Sequence, residues 1–391
     1  MSTQLVSLSP DLTRLVQESY DIEIRDGNLL VHHAPFVTEQ ATVDFGILVS
    51  ELTTNGERTV RPGQHVMWLV GGIPYDHQGQ RVSIVNDTNP HDFGGGLVAS
   101  CSMSGKPNGE HPADYYIKVR NYVRVLTSYA GAIEPGVSHT NFPVRESTPA
   151  ESVFRYHDAA TSRAGLSAVT AKLQSGKVAI VGLGGTGAYV LDLVAKTPVE
   201  EVHLYDDDTL LAHNAFRCPG AASLDQLRSS PKKVDHLFKQ YDPVRRNIFP
   251  HSTRITAGNV HELQAMTFVF IAIDTGPDKR VIIDALRSWG IPFIDCGMGV
   301  TRRDNALRGM VRVTTGANGR YGHIDQRVSF VDDPEDDYDW NIQTSDLNML
   351  NATLAVIRWK KLCGYYVDDK QEYNTAYTVA RNQLVNGDLA E

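Results

Sequence analysis

The residues best placed to do chemistry lie between Gly182 and Arg217. Four glycines come first, Gly182, Gly184, Gly185 and Gly187, in a G-x-G-G-x-G pattern. Asp206 and Asp208 follow, then Asn214 after five intervening residues and Arg217 after two more. Glycines so spaced let a backbone reverse and lie against an anion, with the amides that open the next helix aimed at it. The positive end of such a helix, worth about half a charge, favours a phosphate. Asp206 ends an apolar run, which puts it at the switch edge of a doubly wound sheet, where a ribose lies. Glycines and one acid specify no more than a nucleotide site. Asn214 and Arg217 narrow it. A dinucleotide oxidoreductase needs one acid after its second strand and has no use for an amide and a guanidinium beyond it. An enzyme that splits ATP needs both, because charge develops on the α-phosphate and the departing pyrophosphate.

The elements that must position these residues are legible as periodicity. Val178 to Val181 is apolar on both faces and reads as a buried parallel strand. A helix is predicted over Ala188 to Ala195, a second strand over Val202 to Tyr205, a third over Phe268 to Ile273 ending at Asp274, and a fourth over Ile291 to Asp295. Strands alternating with helices imply an α/β domain on a mostly parallel, Rossmann-like sheet. Residues 301–340 turn polar and acidic and read as a solvated loop. A helix over 342–362 carries Leu347, Leu350, Leu354 and Ile357 on one face. Tyr377 to Leu384 reads as a last strand.

The glycine pattern after a strand, followed by D-x-D-x5-N-x-x-R, resembles the ubiquitin-activating superfamily of the ThiF and MoeB type, roughly from Glu151 to Gly364. The resemblance implies adenylation of a carboxylate, with ATP and Mg²⁺ bound. Asp206 would hold the ribose, Asn214, Arg217 and Lys233 the phosphates, and Asp274 the magnesium. Lys233 is followed by Val234, as the family's phosphate lysine is followed by a small apolar residue, although it stands a few residues farther from the arginine than usual. In relatives an arginine of the entry segment reaches the partner subunit's phosphates. Asp158 occupies that position here, leaving Arg155 or Arg163 as candidates. The implied assembly is a homodimer. The implied partner is a ubiquitin-like or sulfur-carrier protein, with a conjugating enzyme downstream in a bacterial pathway.

Acceptor chemistry is where the sequence departs from the family. Activating enzymes carry a nucleophilic cysteine well past the magnesium aspartate, and that window holds none here. Cys296 comes too early and Cys218 directly follows Arg217. Three routes stay open: direct passage to a conjugating partner, an oxyester on Thr314, Thr315 or Ser329, or a thioester on Cys296. The four cysteines stand singly with no C-x-x-C pair, so no structural zinc of the four-thiolate kind is expected. Two rivals to the activating-enzyme reading are a dinucleotide oxidoreductase and a scaffold that has kept the fold without its chemistry.

Composition bounds the rest. The chain has 391 residues, 41% hydrophobic and 21% charged, which is globular rather than disordered. A net charge of −9 argues against a nucleic-acid partner, whose phosphates demand a basic face. No apolar run approaches the roughly 20 residues that span a bilayer, so a cytoplasmic protein without membrane contact is expected. Residues 1–146 read as a smaller α+β, β-rich domain of unassigned role, and 147–391 as the adenylation domain, parted by the Ser147 to Pro149 linker. Two N-terminal stretches, SMSGKPNGEHPADYYIKVRNYV and IEPGVSHTNFPV, resemble a bacterial domain that commonly precedes ThiF-like domains. His32 and His33 are adjacent on a predicted strand, hence on opposite faces and a poor metal pair.

Overall fold

The computed structural model describes residues 5–6, 8–106, 109–140, 146–149, 152–156, 158, 160–161, 164, 166–274, 276–330 and 342–389. It divides into two compact units, one of Met1–Arg145 with Asp158–Val169, the other of Glu146–His157 with Thr170–Glu391.

The first unit is built on a six-stranded antiparallel sheet, in the order Asp21–Arg25, Asn28–Val37, Val43–Glu51, Met67–Val70, Cys101–Met103, Val85–Asp87. The helix Tyr115–Ile133 packs across it, opened by Asp114, whose side chain accepts from the Ile117 N–H. Its inward residues Tyr115, Tyr116, Val119, Tyr122 and Val123 join Leu29, Phe36, Leu48 and Met67 of the strands in one core. The pairing slips between Val31 and Ala34, and His33 takes φ +63° there. His32 and His33 therefore sit on a bulge rather than on a regularly alternating strand.

The second unit carries the glycine pattern. Its strands are β1 (Lys177–Val181), β2 (Glu201–Tyr205), β3 (Ile248–His251), β4 (Phe268–Ile271), β5 (Phe293–Arg303), β6 (Ala306–Gly316), β7 (Glu372–Thr378) and β8 (Gln383–Leu389). They lie in one sheet ordered β3-β2-β1-β4-β5-β6-β7-β8. The first five run parallel and the last three extend the sheet antiparallel. Helices α1 (Gly185–Ala195), α2 (Lys233–Tyr241) and α4 (Ser345–Leu362) share a core with Val178, Ile180, Val202, Leu204 and Phe270. Helix α3 (Pro277–Trp289) packs on the other face against Ala179, Val181, Val269 and Ile271. Both faces of the parallel strands are covered, which is why they read as unbroken apolar runs.

Several predicted boundaries are corrected. Helix α1 opens at Gly185 and not Ala188, so two of the glycines belong to its first turn. Strand β4 ends at Ile271, two residues short, because the chain swings through Gly276 at φ +138° to start α3 at Pro277. Much of 301–330 is no loop: the long antiparallel pair β5 and β6 runs from Phe293 to Gly316, and a short helix follows at Ile324–Arg327. The acidic residues Asp332, Asp333, Glu335, Asp336, Asp337 and Asp339 lie outside the described residues. The C-terminal helix starts at Ser345 rather than 342. Tyr377 to Leu384 straddles the turn between β7 and β8, where Asn382 takes a left-handed φ of +46°.

Candidate nucleotide site

The carboxyl ends of β1, β2 and β4 converge where the strand order reverses between β1 and β4, the position at which open α/β sheets bind ligands. A cleft of about 1020 Å³, counted to its open mouth, lies there. Gly182, Gly184, Asp206, Asp208, Arg217, Lys233 and Asp274 line it, so the fold brings together seven of the ten residues read as nucleotide ligands. The other three, Gly185, Gly187 and Asn214, are not among the lining residues.

The glycines divide by what a side chain would meet. At Gly182, with φ +88°, a Cβ would stand 2.5 Å from the Ala272 carbonyl oxygen, and at Gly187 it would stand 1.8 Å from that of Gly182. Both are needed for β1, β4 and α1 to approach each other. At Gly185 a Cβ would lie 2.0 Å from Asn348 Nδ2. Gly184 alone of the four faces open space, with nothing within 4 Å. It is therefore the position where a phosphate can approach the backbone, as the N-cap of α1.

Asp206 is buried and fixed from two sides. Its Oδ2 accepts from the Leu183 N–H at 2.7 Å and its Oδ1 from the Asp208 N–H at 2.9 Å. Lys233 opens α2, buried to 7% exposure, with Nζ 2.6 Å from Asp208 Oδ2 and 3.7 Å from Asp206 Oδ1. Among the described residues, Asp206, Asp207 and Asp208 are the one set of three carboxylates whose ligand atoms lie within 4.8 Å of one another. Since two of them pair with Lys233, the set reads as an ion-paired strand end. Asn214 is 2% exposed and its Oδ1 accepts from the Leu211 N–H at 2.8 Å. That bond, with the Asn214 carbonyl accepting from the Arg217 N–H at 3.0 Å, shapes the turn that presents Arg217. The Arg217 Nε is buried with no hydrogen-bond partner among the described residues. A buried donor left unmet costs stability, and an acceptor entering the cleft would meet it. Asp274 is exposed in the loop after β4 rather than at the strand's end. Asp274 lines the cleft, and a carboxylate is the donor type that magnesium takes, one or two of them together with phosphate oxygens.

Arg254, Lys279 and Gln343 are among the lining residues not read as ligands in the sequence. Arg254 pairs with Asp278 at 2.6 Å, and Gln343 leads into α4. Lys279 is 3% exposed, its Nζ 3.0 Å from the fully buried Asp295, whose other oxygen lies 2.6 Å from Arg312. A signal existed for Lys279: a lysine in a helix's first turn opposes the helix dipole and implies a specific partner.

The entry segment is docked by a backbone bridge between Phe154 and Arg245. Arg155 donates to the Asp242 carbonyl and, at 2.6 Å, to its carboxylate, and is not among the residues lining the cleft. Arg163 lies outside the described residues. Cys296 is 6% exposed in the core, and burial, then the neighbouring Asp295, pushes its thiol above the ordinary range. Burial also raises Cys218 to about 11. Thr314 and Thr315 are fully buried, whereas Ser329 is exposed.

Fold and cleft together define a Rossmann-like nucleotide-binding domain with an antiparallel extension. Residues 158–340 match the model described as the ThiF family, so this stretch is a ThiF-type domain. Residues 10–159 match a model described as a domain of unknown function, DUF6791. The chain is 29% identical over 128 residues to the SAMP-activating enzyme E1 of Haloferax volcanii, a match covering 32% of this chain and 46% of that protein. The chain thus spans less than half the length of that relative. Among solved structures, E. coli MccB with MccA-N7isoASN superposes with a TM-score of 0.45 at 18% identity, over 60% of this chain and 71% of that one. E. coli MccB with ATP gives 0.43 at 16%, over 60% and 70%. No helix among the described residues is long and apolar enough to cross a membrane.

Proposed function

We propose that this protein adenylates the C-terminal carboxylate of a ubiquitin-like protein, as the activating enzyme of a bacterial conjugation pathway. A carboxylate oxygen attacks the α-phosphorus of ATP, the bond to the bridging oxygen breaks, and pyrophosphate leaves with an acyl adenylate remaining. The observation that carries the reading is the buried, unmet Arg217 Nε in the same cleft as Gly184, Asp206 and Asp274. Two anions must meet for the reaction to start, and Arg217 and Lys233 offset their repulsion in a site partly shielded from water. Asp206 takes the ribose, and Asp274 would hold the Mg²⁺ that neutralises the triphosphate. The protein is proposed to act in the cytoplasm as a homodimer.

Burial of Cys296, Thr314 and Thr315 weighs against those three acceptors and leaves direct passage of the acyl group to a conjugating enzyme, with the exposed Ser329 as the competing acceptor. A thiol must ionise to attack, and a buried one pushed upward does so poorly. Intact-mass spectra after incubation with ATP and carrier should show no adduct on Cys296, and a thioester lost in Cys296→Ala would reverse that conclusion.

Arg217→Ala and Lys233→Ala should each lower carrier-dependent ATP–pyrophosphate exchange by about a hundredfold, about 3 kcal/mol. Near-normal exchange in both would end the proposal. Carriers of the ubiquitin-like and sulfur-transfer kinds, tested side by side, decide which class is used.

A further inference from the structure

Helix α4 comes back over the glycine turn and places Asn348, fully buried, between two parts of the cleft wall. The Thr186 hydroxyl donates to Asn348 Oδ1 at 2.8 Å, and Asn348 Nδ2 reaches the Arg217 carbonyl at 3.5 Å. The same amide occupies the space a Cβ on Gly185 would need, 2.0 Å from Nδ2. One side chain thus ties the opening turn of α1 to the segment that presents Arg217. Resting on the adenylation reading above, we propose that Asn348 is a positioning residue. It sets the Arg217 guanidinium against the Gly184 backbone so that both grip the phosphates of one nucleotide.

The reasoning is geometric. Arg217 sits on a short turn held inwardly by Asn214, and a turn of that kind has few contacts to fix its distance from the facing glycine loop. Oδ1 can only accept and Nδ2 can only donate, so the amide matches a hydroxyl on one side and a carbonyl on the other. A leucine of similar size would fill the volume and make neither bond. Tyr189 and Ser345, whose hydroxyls are 2.6 Å apart, give α1 and α4 a second tie, so the helices stay packed when the amide is removed.

The test compares ligands that differ only in phosphate. The full-length protein is titrated with Mg-ATP and with adenosine by calorimetry, as wild type, Asn348→Ala, Asn348→Asp, Arg217→Ala and the Asn348→Ala/Arg217→Ala pair. Asn348→Ala should weaken Mg-ATP binding about tenfold, as expected for the loss of a buried polar tie. Adenosine binding should stay within about twofold, and the double variant should bind Mg-ATP no worse than Arg217→Ala. Asn348→Asp keeps the acceptor for Thr186 but faces the Arg217 carbonyl with a second acceptor, so it should match Asn348→Ala. Equal weakening of both ligands, or full additivity in the double variant, would overturn the proposal in favour of a general packing role. If Arg217→Ala itself left the ATP-to-adenosine ratio unchanged, the phosphate reading of Arg217 would fall instead. Should Asn348→Ala fail to fold, Thr186→Val carries the same comparison from the other end of the tie.

Discussion

Residue by residue, the glycine turn shows that one pattern answers two demands. Gly182, Gly185 and Gly187 are glycine because protein atoms occupy the place of their side chains, whereas Gly184 meets none. Gly185→Ala should therefore lower stability by about 1–3 kcal/mol in urea unfolding, the usual cost of overpacking. Gly184→Ala, in extended backbone at φ −68°, should leave the unfolding midpoint nearly unchanged yet weaken Mg-ATP binding. A loss of stability in Gly184→Ala equal to that of Gly185→Ala would remove the distinction. The spacing revealed both glycines but not this difference, because what fills the space at Gly185 comes from Asn348, 163 residues later in the chain.

At the scale of elements, α3 and the antiparallel extension meet through Asp295. This carboxylate, at 0% exposure, lies between Lys279 of α3 and Arg312 of β6. Removing the anion leaves two cations facing each other in a poorly solvated site. Asp295→Ala should cost about 3–5 kcal/mol, the range for breaking a buried pair by deleting one partner. Denaturant titration measures it, and a cost below about 1 kcal/mol would mean that the cations find water. Lys279 also lines the nucleotide cleft, so the same substitution should change Mg-ATP affinity, which a purely structural pair would not do. The sequence placed β1, β2 and β4 nearly correctly because each is an apolar run bounded by turns. It missed β6 and most of β5, whose exposed residues, such as Leu307 and Met310, sit among arginines and polar groups and break the pattern.

For the molecule as a whole, the first unit buries a charge that ties its stability to pH. Lys118 is fully buried, donating to Ser50 Oγ at 2.7 Å and to the Gln64 carbonyl at 2.9 Å. Burial pulls its pKa from 10.5 down to about 8, with Glu51 opposing the shift. Between those values the unfolded chain binds more protons than the folded one, so this lysine makes stability rise with pH across that window. Thermal unfolding of Lys118→Met should lose that rise relative to wild type, and identical pH profiles would show that the lysine is solvated.

Local chemistry in the sequence determined the parallel core, the glycine turn, the set Asp206, Asp208, Asn214 and Arg217, and the strand that leads to Asp274, because each element's period and each motif's spacing are short-range; Lys233 came only with the family resemblance. Tertiary structure alone decided which of the glycines has open space at its Cβ position, that Lys279, Arg254 and Gln343 join the cleft, and that Asn348 bonds to both Thr186 and the Arg217 carbonyl beside it. Those choices depend on side chains from α3, α4 and the loop after β3 arriving at one sheet edge, and no periodicity within a single segment encodes such an arrival.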